Sequence, residues 1–178
     1  MFTEAQQRAL LDTAREAVRA SVNGRPAAIP AAGALPDASG AFVTLKKRGE
    51  LRGCIGTLEC RAPLADEVAR VAVSAAREDP RFAPVHPSEL DELDVEVSVL
   101  GPLEPIDPLD ADAIVIGRHG LVVEQGARRG LLLPQVATEW NMDRETFLGH
   151  TCAKAGLPAD AWRRGAKVYR FAAEVFGG

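Results

Sequence analysis

The sequence predicts an α+β fold: a mainly antiparallel sheet with flanking helices. Three observations carry this. Two short apolar-rich runs, GAFVTLKK and LRGCIGTL, are joined by three residues containing glycine, the pattern of a β-hairpin. LDVEVSVL alternates, with Val95, Val97 and Val99 on one face and Asp94, Glu96 and Ser98 on the other, so it reads as a strand with one wet face. Helical patterns occur at separate points along the chain while the strands form hairpins, which indicates an α+β fold.

The elements follow in order. Thr3 to Gln6 forms a capping box, and Leu10, Leu11, Ala14, Val18 and Val22 recur at helical spacing until Gly24. RPAAIPAAGALPDASG has no period and reads as a surface loop. After the hairpin, Pro63 opens a helix with Leu64, Val68, Val71, Ala72 and Ala75 as its apolar stripe. That helix ends before Asp79-Pro80, because the residue before proline resists the helical conformation. Asp79 and Arg81 are placed to pair with each other or to cap this helix. Short strands are expected at Ile114–Ile116, Leu121–Glu124 and Leu131–Leu133, separated by GRHG and QGARRG turns. Asp143 caps a helix carrying Phe147, Leu148, Thr151, Cys152 and Ala155 inward. KVYRFAAEVF closes the chain as a last strand.

Composition narrows the function. Of 178 residues, 47% are hydrophobic and 26% charged, an ordinary globular balance with room for one core or two small subdomains. A net charge of −4 and 5% aromatic residues argue against phosphate tracking and base stacking, so no nucleic-acid partner is expected. No apolar run reaches the length of a membrane span, and the N-terminus lacks the features of a signal peptide, so the expected compartment is the cytoplasm. Cys54, Cys60 and Cys152 cannot all pair within one chain and form no C-x-x-C. His150 and Cys152 lie two apart on a helix and point in different directions. No bound metal or cofactor is therefore expected.

The hairpin holds the main candidates. Strand alternation places Arg52, Cys54 and Gly56 on one face, with Leu51, Gly53 and Ile55 on the other. An arginine two residues from a cysteine on one face favours the thiolate. Glycine weakens a strand, so Gly53 and Gly56 imply a close approach, by a ligand or by another backbone. The alternative is a small buried cysteine in a tight, bulged strand. Glu59 is placed to orient Arg52 or to act as a base. His119, in the GRHG turn, has a pKa suited to acid–base work. Gln135 follows LLLP where a strand gives way to a helix, placed to line a pocket or to satisfy backbone groups.

LRGCIG closely resembles the signature of the AMMECR domain family. The resemblance extends through GAFVTLKKRGELRGCIGTLE, DPRF, LDVEVSVL, GRHGLVVEQGARRGLLLPQVA and FLGHTCAKAGLP, nearly the whole chain. It implies one domain over residues 1–178, made of two closely packed subdomains, with Leu51 to Gly56 as its hallmark. It implies no established reaction. Bacterial members are labelled AmmeMemoRadiSam system protein A, which implies a Memo-like protein and a radical S-adenosylmethionine enzyme as partners by gene association. The expectation is an accessory or binding role, toward a small ligand or peptide, through a cleft containing the motif. Arg52, Gly53, Gly56, Glu59, His119 and Gln135 are the candidate contacts. The alternative is an enzyme using Cys54 as nucleophile or acid.

Overall fold

The computed structural model describes residues 1–178 and divides into two compact units. The first comprises Met1–Leu100 with Glu174–Gly178, and the second Gly101–Ala173. The α+β class holds: the strands pair antiparallel, and helices flank them. No helix is long and apolar enough to cross a membrane.

The first unit is built on helix α1 (Glu4–Val22), strands β1 (Gly40–Lys47) and β2 (Glu50–Thr57), helix α2 (Leu64–Arg77) and strand β3 (Leu93–Leu100). The capping box at Thr3 forms, with Gln6 N–H donating to Thr3 Oγ1 and Thr3 N–H to Gln6 Oε1. β1 lies between β2 and β3, so β2 is an edge strand. One face of this sheet carries Ala41, Val43, Leu45, Val95, Val97 and Val99, all buried. They join Leu10, Ala14 and Val18 of α1 and Val68, Val71 and Ala72 of α2 in one core. Each buried valine or leucine there contributes about 1.5–3 kcal/mol, so an aspartate at Val97 would break the unit. The end of the chain returns to β3, where Gly178 N–H donates to Val95 O at 3.2 Å.

The second unit holds β4 (Glu104–Ile106), β5 (His119–Gln125), β6 (Arg128–Leu132), α3 (Pro134–Glu139), α4 (Arg144–Lys154) and the first part of β7 (Lys167–Gly177). Here β7 lies between β4 and β5, and β5 pairs with β6. Asp143 caps α4, its Oδ1 accepting from Thr146 N–H at 2.8 Å. Phe147, Leu148 and Cys152 then pack with Leu121, Val123, Trp162 and Val168.

One expected strand is absent. Ile114–Ile116 belongs to a turn, and β5 begins only at His119. Three apolar residues in a row satisfied the strand pattern. The backbone instead closes on itself, with the N–H groups of Arg118 and His119 both donating to Val115 O. Strand β4 and the short 3₁₀ turns at Pro87–Glu92 and Ala161–Arg163 carry no periodic signal.

Candidate functional site

Strand β2 carries the hallmark, and its pairing with β1 is irregular. Leu45 faces Gly53 while Lys46 faces Leu51, so the register skips Arg52 in a one-residue bulge. A bulge re-aims a side chain. Arg52 reaches the 3₁₀ turn before β3, where its Nε and Nη2 donate to Glu89 Oε1 and Oε2 at 3.0 and 3.1 Å. Glu89 also accepts from Lys47 Nζ at 3.1 Å and from His86 N–H at 2.8 Å. Arg52 above all, then the His86 N–H and Lys47, hold the Glu89 carboxyl down at about 2. The Nε–Nη2 edge of Arg52 is thus committed to a protein carboxylate, and its side chain is only 14% exposed, so it is less open to a substrate anion than expected.

The glycines receive a definite explanation. A Cβ at Gly53 would lie 2.1 Å from Ala75 O, so its bare backbone lets α2 pack directly on the strand. A Cβ at Gly56 would lie 2.2 Å from Phe42 Cδ1, because the ring of its cross-strand partner covers that position. Of the two approaches expected, by a ligand or by another backbone, Gly53 meets another backbone, while at Gly56 a side-chain ring takes the place.

Cys54 stands between them, half-buried on the other face from Gly53. Its pair with Thr44 brings the two side chains together, and Thr44 Oγ1 donates to Cys54 Sγ at 3.2 Å. On the free edge of β2, Cys54 N–H donates to Asp79 Oδ2 at 3.0 Å. Arg81 Nη2 reaches Cys54 O at 3.5 Å. The Asp79-Pro80-Arg81 segment therefore supplies one acceptor and one donor where a neighbouring strand would stand. Its shape is local: Arg81 N–H bonds back to Asp79 Oδ1 at 3.1 Å, the turn that an aspartate two residues earlier favours.

Asp79 and Arg81 pair with each other, in the first of the two ways expected. Arg81 Nε and Nη2 donate to Asp79 Oδ1 and Oδ2 at 3.0 and 2.7 Å. Asp79 is only 4% exposed, and the guanidinium beside it holds its carboxyl well below the usual range. The Arg81 side chain is 55% exposed and lies over the Phe82 ring, 5.4 Å from its centroid. Its Nη1 makes no hydrogen bond within the protein. The cation at Cys54 is thus Arg81, not Arg52. Sequence reasoning missed Arg81, Asp79 and Thr44 as neighbours of Cys54; the signal was the Asp-Pro-Arg triplet directly after a helix.

The remaining candidates do not join this cluster. Glu59 is exposed, its Oε2 accepting from Arg61 at 3.2 Å, and Glu89 rather than Glu59 orients Arg52. His119 and Gln135 belong to the second unit. His119 Nδ1 accepts from Val115 N–H at 3.0 Å. Gln135 is half-buried in the first turn of α3, its backbone O accepting from Thr138 Oγ1 at 2.9 Å. Cys60 lines a cavity of about 500 Å³ with Ala38 and Leu64, but burial and then Glu67 push its thiol up, away from the reactive form. Burial likewise pushes up the thiol of Cys152.

The cluster can therefore offer a half-buried thiol and hydroxyl, with the exposed guanidinium of Arg81 beside the same strand. It offers no ready base. The two carboxylates that bond the motif, Asp79 and Glu89, are each held ionised by an arginine, and a carboxylate of such low pKa accepts a proton poorly. Glu96, opposite Thr44 on β3, is engaged by Lys46 Nζ at 3.4 Å.

The sequence pattern of the AMMECR1 family matches residues 11–176. A protein of Methanothermobacter thermautotrophicus is 56% identical over 142 residues, covering 77% of this chain and 74% of that one. One from Methanosarcina acetivorans is 45% identical over 185 residues, covering 99% of this chain and 93% of its own. Among solved structures, the uncharacterized protein PH0010 from Pyrococcus horikoshii superposes with a TM-score of 0.82 at 42% identity, covering 99% of this chain and 93% of that one. These relatives are archaeal, so they lend no support to a bacterial assignment.

Proposed function

Because the chain belongs to the AMMECR1 family, we propose that it is a binding module whose recognition surface is the patch formed by Cys54, Thr44 and Arg81. It receives a small ligand or a peptide through an anionic or carbonyl oxygen, which Arg81 Nη1 donates to while Thr44 and Cys54 lie alongside. One observation carries the reading: a guanidinium pre-oriented by a buried carboxylate keeps two N–H donors uncommitted beside the hallmark strand. A planar fork fixed in advance loses little freedom on grasping an oxygen. In cells the module is an accessory component, of the type of AmmeMemoRadiSam system protein A, associated with a Memo-like protein and a radical S-adenosylmethionine enzyme.

The alternative, an enzyme with Cys54 as nucleophile or acid, needs a base at the thiol. Asp79 and Glu89 are both engaged by arginines, so binding without chemistry is the better supported reading. Amide NMR spectra recorded with a small-molecule cell extract and with a random peptide pool test it. Shifts clustering on Thr44, Cys54 and Arg81, and lost in Arg81→Met, are expected. Shifts that persist in Arg81→Met, or that fall away from this patch, contradict it. A covalent adduct on Cys54 that forms and then turns over would favour the enzyme.

A further inference from the structure

We propose that His119 is a pH-sensitive clasp that holds the 115–119 turn closed when its ring is neutral and releases it when the ring is protonated. The inference is independent of the binding patch. His119 grips the Val115 peptide twice: its backbone N–H donates to Val115 O at 3.0 Å, and its ring Nδ1 accepts from Val115 N–H at 3.0 Å. A backbone N–H can only donate, so Nδ1 must be bare and the neutral ring carries its proton on Nε2. Protonation puts a second proton on Nδ1, directly opposite the Val115 N–H. Acceptor and donor become two donors, and the bond cannot survive.

The surroundings discourage that protonation. Half-burial is the main factor, and it is reinforced by Arg170 from β7 and Arg118 from the turn itself. Glu104 from β4 acts in the opposite sense, but its carboxylate is engaged by Arg170 at 2.9 Å. α3 brings only the exposed Glu139. The same Arg170 donates through Nη1 to Ala113 O at 2.8 Å, anchoring the segment just before the turn. The turn is therefore fixed at Ala113 by Arg170 and at Val115 by His119. The part free to open is 115–118, where a Cβ added at Gly117 would come within 3.1 Å of the Thr138 methyl of α3. Exposed Val115 is its apolar tip.

The sign follows from linkage. A histidine with a lowered pKa in the folded state holds fewer protons there than in the unfolded chain, so its contribution is intact above about 6.5. It is lost as pH falls from that value through the folded pKa. The test is a pH titration of the full chain by NMR, following the His119 ring together with hydrogen exchange at the Val115 amide. Exposed His150 serves as the control. The expected result is a His119 midpoint below the ordinary histidine value of about 6.5, an Nε2-protonated neutral ring, and Val115 protection that drops about tenfold for each pH unit below that midpoint. His119→Asn supplies an oxygen that accepts like Nδ1 but does not titrate, and should leave Val115 protection flat with pH. Val115 protection unchanged across the His119 titration would overturn the proposal. So would the same pH dependence in folded His119→Asn.

Discussion

Gly53 shows how a single residue misleads when read alone. A glycine in a strand announces that something comes close, but the sequence does not say what. The visitor is Ala75 O of α2, lying where a Cβ would need to be. Gly53→Ala should therefore destabilise the first unit by about 3 kcal/mol, at the upper end of ordinary overpacking, because backbone rather than a flexible side chain must yield. Urea denaturation measures this. Gly126→Ala, where the added methyl meets nothing within 4 Å and only the turn geometry resists, should cost about 1 kcal/mol. Equal losses at the two sites would mean that α2 is not seated on β2 as described. Cys54 and Arg52 were legible as a motif, but their partners were not. Arg52 finds Glu89, 37 positions away, and no periodicity links the two.

At the level of elements, regular periodicity was the readable part. α1, α2, α4 and the β1–β2 hairpin follow the patterns that 3.6-residue and two-residue periods predict. The bulge at Arg52 was not readable, because an extra residue in one strand shows only against its partner's register. The turn at 115–118 was missed because its apolar residues are tied by His119 instead of a neighbouring strand. α1 also carries an unexpected flaw: Thr13 is fully buried and its hydroxyl has no hydrogen-bond partner. An unsatisfied buried hydroxyl costs about 1–3 kcal/mol, and valine has nearly the same shape. Thr13→Val should raise stability by about 1 kcal/mol, seen as a higher melting temperature. A lower one would show that the hydroxyl is in fact satisfied.

On the scale of the whole molecule, the sequence announced the fold class and most of each core but not the division of the chain. The first unit takes Glu174–Gly178 from the far end, a return that local pattern cannot show. Acid stability belongs to this scale too. Asp79 and Glu89 both hold their protons more weakly in the folded protein than in the unfolded chain, because Arg81 and Arg52 favour the carboxylates. Their stabilisation is complete above about pH 4 and fades as pH falls through the folded value, about 2 for Glu89. Below pH 4 the slope of stability with pH should approach about 1.4 kcal/mol per unit for each group. Glu89→Gln should flatten the part of that slope due to Glu89, and an unchanged slope would contradict the pairing.

Whether Cys54 sits on an accessible recognition patch governed by Arg81 is decided by a site-resolved thiol footprint. Native protein is alkylated with and without the small-molecule extract and peptide pool, and the modification of Cys54, Cys60 and Cys152 is followed separately by mass spectrometry. Buried Cys152 sets the rate at which labelling waits for unfolding. Cys54 is expected to label well ahead of Cys152, the added mixture to slow Cys54 alone, and Arg81→Met to abolish this protection at a temperature where the variant, destabilised by the unpairing of buried Asp79, is still folded. If Cys54 labels only together with Cys152, or the mixture protects it equally in Arg81→Met, the patch is a structural joint and not a recognition surface.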